Sequence, residues 1–99
     1  METNIVTKPK NKVDVKKPKN YKVVMYNDDY TTMEFVINIL VVVFNKKLID
    51  AEKIMLDVHE RGKGIAGIYS YDIAVTKVST AMSMAKEKGF PFKLTVEEA

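Results

Sequence analysis

The stretch YKVVMYNDDYTTMEFV, residues 21–36, passes from strand-like to helix-like patterning across one short acidic turn. Tyr21 to Asn27 is rich in β-branched and aromatic residues and ends at Asn-Asp, which reads as a strand. Thr31 and Glu34 have the T-x-x-E spacing of a capping box, in which hydroxyl and carboxylate satisfy two free backbone N–H groups. A helix over about Thr32 to Phe44 is predicted, with Met33, Val36, Ile37, Leu40 and Phe44 on one face. Within it, LVVVF at 40–44 favours a strand by propensity; the cap and the period favour the helix.

Downstream, Asn45-Lys46-Lys47 reads as a turn, and Asp50 is placed to cap a second helix running to about Arg61. Gly62 offers its C-terminus, and Gly64 and Gly67 loosen the chain around a second strand, IAGIYSY at 65–71. Ser70 or Asp72 caps a third helix with the stripe Ala74, Val78, Ala81, Met82 and Ala85. That helix stops at Gly89, since Pro91 forbids continuation. Phe92, Leu94 and Val96 alternate with Lys93, Thr95 and Glu97 as a half-buried third strand. The order β-α-α-β-α-β with three strands predicts helices covering one sheet face, a small two-layer α+β domain.

Upstream, residues 1–20 hold Pro9, Pro18 and six lysines against Glu2 and Asp14, a net +4 without apolar period. Such a composition predicts a disordered basic extension, because it buries too little to offset its ordering entropy. Residues 21–99, the predicted folded core, carry ten basic against eleven acidic residues, net −1. The excess of positive charge therefore belongs to the tail, which argues against a nucleic-acid-binding face on the domain.

The 99 residues are 46% hydrophobic, enough for one modest core. There is no cysteine, which excludes disulfides, thiolate metal sites and cysteine nucleophiles, and fits a cytosolic-type compartment. The longest apolar run, Ile39 to Phe44, is far shorter than the roughly 20 residues of a membrane span. The N-terminus lacks the apolar segment of a signal peptide.

Asn27, Asp28 and Asp29 are the candidate chemistry. As a turn they favour the positive end of the following helix, at about 0.3–1 kcal/mol per acid. As a site they need a converging partner, and His59 is the only histidine. Met55 shares a helix face with His59, and Val58 lies beside them, an apolar wall with an imidazole at its rim or simply core. No second histidine accompanies Asp28, Asp29 and His59, so neither a metal site nor any cofactor is expected. No serine forms a recognisable nucleophile motif with His59, which disfavours a small hydrolase. GKGIAG at 62–67 lacks the G-K-[ST] ending of a phosphate loop and precedes a strand.

NDDYTTMEFV at 27–36, MLDVHERGKG at 55–64, GIYSYDIAVTKV at 67–78 and FPFKLTVE at 90–97 together resemble the ClpS family, adaptors that deliver N-degron substrates to Clp-family proteases. The likeness spans essentially all of residues 21–99, and a variable basic N-terminal extension fits it. It implies three helices on a three-stranded antiparallel sheet, and a non-enzymatic, monomeric, cytoplasmic adaptor that binds peptides beginning with Phe, Tyr, Trp or Leu. It further implies that Asn27, Asp28 and His59 hold the α-amino group, with Asp29 supporting the acidic rim and Thr31 meeting the peptide backbone. Met33, Val36, Leu40, Met55, Val58 and Phe92 would line the pocket for the first side chain. Asp72 and Lys77 match positions that dock the N-terminal domain of a Clp AAA+ ATPase, of ClpA or ClpC type.

Four positions depart from the family pattern: Thr32 stands where proline is usual, Phe92 where leucine is common, and Val41 and Val42 where the first helix is polar. The rival reading is a small RNA- or ribosome-associated basic protein, resting on the lysine-rich tail and opposed by the charge of residues 21–99.

Overall fold

A computed structural model describes residues 19–99; the disordered extension expected over residues 1–20 lies outside the described residues for positions 1–18. Lys19 and Asn20 pack along the end of the last strand: Lys19 Nζ is 2.8 Å from Glu98 and the Ala99 N–H donates to the Asn20 carbonyl at 3.0 Å.

Strand β1 (Tyr21–Tyr26) is followed by α1 (Met33–Val42), α2 (Leu48–Arg61), β2 (Lys63–Tyr69), α3 (Tyr71–Lys88) and β3 (Lys93–Glu98). The predicted order is the observed one. The sheet runs β2-β1-β3, antiparallel throughout, with β1 in the centre. Val23 opposes Gly67 while Val24 opposes Ile65, so Ala66 is an extra residue that bulges β2. Val23 and Met25 point from β1 into the helices, where Phe35, Ile39, Leu40, Ala51, Ala74, Ala81 and Ala85 complete the core.

Several boundaries and caps differ from expectation. The residue that caps α1 is Thr32, whose hydroxyl accepts the Phe35 N–H at 3.1 Å; the Thr31–Glu34 capping box does not form. Helix α1 ends at Val42, two residues early, because the chain turns out through Asn45 at φ 57°, a conformation asparagine tolerates. Val43 and Phe44 stay buried, and Lys77 reaches across to donate to the Val43 carbonyl at 2.7 Å and to Asn45 Oδ1 at 3.0 Å. Helix α2 begins at Leu48 with Lys47 at the cap position, so Asp50 lies in the first turn, where its charge suits the helix dipole.

Strand β2 starts at Lys63 and ends at Tyr69, leaving Ser70 as the cap residue of α3 and Tyr71 inside that helix. Gly62 and Gly89 end α2 and α3 in the left-handed region at φ 90° and 76°, as their positions predict. Met82 is exposed, because the core-facing stripe of α3 passes through Ala74, Ala81 and Ala85. Among the described residues no helix is long and apolar enough to cross a membrane.

Candidate functional site

At the end of β1 the Asn27 N–H donates to the Gly62 carbonyl at 2.9 Å, tying the acidic turn to the C-terminus of α2. Gly62 in turn donates to the Val58 carbonyl at 3.0 Å, closing the last turn of the helix that carries His59. Two segments distant in sequence are thereby held side by side.

Asp28 organises the turn itself. Its Oδ1 accepts the N–H groups of Tyr30 at 2.8 Å and Thr31 at 2.7 Å, and its Oδ2 accepts the Thr31 hydroxyl at 2.7 Å. Partial burial, the largest single influence, pushes the Asp28 carboxyl up; the hydrogen bonds from the Thr31 hydroxyl and the two N–H groups together outweigh it and hold the carboxyl below its ordinary value. Asp28 is therefore an ionised carboxylate at neutral pH, fixed in place by its own loop.

From this turn Thr32 starts α1, which presents Met33 and Val36, while α2 presents Met55, Val58 and His59. These side chains enclose a cleft of about 430 Å³ with Asn27, Asp28, Asp29 and Thr31 on its polar side. Val36 and Val58 are buried and Met55 nearly so, whereas Met33 is 45% exposed at the mouth. The arrangement is a polar rim carrying a fixed negative charge over an apolar wall. It suits a ligand with a cationic hydrogen-bond donor at one end and an apolar group beside it. Among the described residues no three His, Cys, Asp or Glu side chains gather in a way that could hold a metal ion.

Two residues assigned to the pocket by resemblance are not among those lining this cleft. Leu40 is fully buried in the core, and Phe92 stands edge-on to Phe35 at 6.1 Å and lines a different groove, with Met82 and Phe90. Both pack inward because the core between α1 and β3 closes over them. Tyr30 and Thr32 also line the cleft, although neither stands out in the sequence as a candidate. Their place between Asp28 and Met33 in the sequence was the available signal.

Asp72 is exposed in the first turn of α3. The Lys77 ammonium is engaged within the molecule by Val43 and Asn45, and lies 5.3 Å from the centre of the Tyr69 ring.

The family model for ATP-dependent Clp protease adaptor protein ClpS matches residues 16–95. The chain is 50% identical over 97 residues to the ATP-dependent Clp protease adapter protein ClpS of Acetivibrio thermocellus, covering 98% of each chain. To the protein of the same name from Clostridium acetobutylicum it is 52% identical over 98 residues, 99% of this chain and 97% of the relative. Its fold matches the structure of Agrobacterium tumefaciens ClpS2 bound to L-phenylalaninamide with a TM-score of 0.80 and 38% identity, over 84% of this chain and 100% of that one. With the predicted fold present and the family model covering four-fifths of the sequence, this chain belongs to the ClpS family: it is an adaptor of the ATP-dependent Clp protease, a partner of a Clp ATPase and not an enzyme.

Proposed function

We propose that the cleft between the acidic turn and the end of α2 binds the N-terminal residue of N-degron substrates, and that the adaptor delivers them to a Clp ATPase. The observation that carries this reading is the meeting of Asn27, Asp28 and His59 with Met33, Val36, Met55 and Val58 around one cleft. A free N-terminus is an ammonium with three donors, matched by an amide oxygen, a carboxylate and a neutral imidazole nitrogen. The first side chain then lies against the methionines and valines. The structural relative bound to L-phenylalaninamide supports the reading, since that molecule pairs a free α-amine with a benzyl group.

Hydrogen bonds to the ammonium contribute about 1.5–3 kcal/mol each, and burial of a Phe or Leu side chain about 1.5–3 kcal/mol. Less the cost of association, these give a Kd on the order of micromolar, suited to a carrier that must release its cargo. Delivery uses the separate surface around Asp72 and Lys77, which engages the N-terminal domain of a ClpA-type or ClpC-type ATPase. The adaptor works in the cytoplasm as a monomer.

Fluorescence-anisotropy titration with short peptides that differ only in the first residue tests the proposal. Phe, Tyr, Trp and Leu peptides are expected to bind at micromolar concentration, and an Ala peptide at least about tenfold more weakly. Equal binding of Phe and Ala peptides refutes the pocket.

A further inference from the structure

Met33 and Met55 place two thioethers in the wall of the cleft of a chain that has no cysteine. Thioethers are therefore the only sulfur groups that this protein offers to an oxidant. Access separates the two: Met33 is 45% exposed at the mouth and Met55 is 9% exposed behind it. Susceptibility to oxidation follows exposure. Met82 is a built-in comparison, since it is 42% exposed but lines a different groove, on α3.

We propose that Met33 is an oxidation-sensitive gate of the cleft, modified by a hydroperoxide; the proposal rests on the reading of the cleft as a peptide-binding site. The Met33 sulfur lone pair attacks one oxygen of hydrogen peroxide and the O–O bond breaks. Sulfur gains an S–O bond and gives up two electrons, and the expelled hydroxide takes the proton of the transferred oxygen and leaves as water. One thioether and one peroxide become one sulfoxide and one water.

The product is a strong acceptor where an apolar gate stood. The apolar residues that line the cleft with it, Val36, Met55 and Val58, carry no side-chain N–H or O–H donor. An apolar first side chain closing over that oxygen leaves it without a partner, which costs affinity. The coupling is reciprocal: a bound side chain that covers the Met33 sulfur slows its oxidation. A methionine sulfoxide reductase, drawing two electrons from a thiol reductant, restores the thioether, so the gate resets without new synthesis.

The experiment treats the full chain with hydrogen peroxide, with and without a saturating Phe-initiated peptide. Oxidation is mapped at Met33, Met55 and Met82 by mass spectrometry, and peptide affinity is measured by anisotropy. In the free protein Met33 and Met82 are expected to oxidise at similar rates and ahead of Met55. The peptide slows oxidation at Met33 and leaves Met82 unchanged, and treatment weakens binding by about tenfold, as loss of a well-matched contact does. In Met33→Leu the ratio of affinities before and after treatment stays within about twofold, leucine having no sulfur to oxidise; Met82→Leu loses affinity on treatment as the parent does. Full Met33 oxidation with undiminished affinity overturns the gate, as does an equal loss in Met33→Leu. Failure of the peptide to bind the untreated protein overturns the reading of the cleft itself.

Discussion

Thr31 donates its hydroxyl to Asp28 Oδ2 at 2.7 Å, while its backbone N–H donates to Oδ1 of the same carboxylate at 2.7 Å. With the Tyr30 N–H also on Oδ1, the turn takes three of the roughly four lone-pair sites of the carboxylate. The remaining site, on Oδ2, is available to a cation. One residue thus shapes the loop and leaves charge for a ligand.

That double role can be divided by substitution. Asp28→Asn keeps an oxygen for the Tyr30 and Thr31 N–H groups and removes the charge. It is expected to weaken a Phe-initiated peptide by about ten- to a hundredfold, as befits a lost charged hydrogen bond, and to lower the urea midpoint at neutral pH modestly, by less than Asp28→Ala does. Asp28→Ala removes the turn as well and is expected to lower stability by about 1–2 kcal/mol. Equal affinity of parent and Asp28→Asn proteins contradicts the assignment.

Acid is expected to act on the same turn. The Asp28 carboxyl is held below its ordinary value in the folded protein, so its contribution to stability is fully present above the unfolded value near about pH 3.9. That contribution is lost as pH falls through the lower folded value. Urea unfolding of parent and Asp28→Asn proteins, from neutral pH to about pH 2.5, should show a parent advantage that is flat to about pH 4.5 and shrinks below it. An advantage that has vanished near about pH 6 rules this out.

Selectivity for the terminus should exceed selectivity for the side chain. Exchanging Phe for Leu changes shape within an apolar wall and is worth about 1–3 kcal/mol at most. Nα-acetylation removes the charge and leaves Asn27, Asp28 and His59 facing a ligand that has lost its ammonium. Side-by-side titration is expected to rank the acetylated Phe peptide below the free Leu peptide, and the reverse order excludes an ammonium site.

Gly64 controls the approach of α2 to the sheet. A Cβ there would lie 3.0 Å from Val58 Cγ2 and 3.3 Å from the Ile54 carbonyl oxygen. Gly64→Ala is expected to destabilise by about 1–3 kcal/mol through this overpacking. Because Val58 and His59 ride on the displaced helix, peptide affinity should fall too. Denaturation and anisotropy on the same preparation check both effects.

Lys77 and Asp72 should separate in the same way. Lys77→Ala leaves the Val43 carbonyl without its charged donor and is expected to cost about 1–2 kcal/mol. Asp72→Ala, in an exposed first turn, should cost under about 1 kcal/mol. Both are expected to weaken association with the Clp ATPase N-terminal domain in a pull-down. Undiminished association in Asp72→Ala removes this surface from the docking site.

The order of the elements, and the residues from which a site could be made, follow from local patterning. Strand texture before the acidic turn, the helical period after it and the glycines at 62 and 89 all act within a few residues, so they can be read from the chain alone. Where those residues end up depends on how the segments pack. Thr31 looked like a helix cap, yet its hydroxyl goes to Asp28 and Thr32 caps instead. Gly64 looked like slack and proves to be the point where Val58 presses on the sheet. Leu40 and Phe92 carry the apolar character of a pocket residue and are drawn into the core. The pairing of Tyr26 with Lys63, continued by the bond from the Asn27 N–H to the Gly62 carbonyl, sets the acidic turn beside the end of the helix that carries His59. Local signals fix which backbone conformation a segment prefers, whereas a cleft is made by packing between segments far apart in the chain, and no spacing within either segment encodes it.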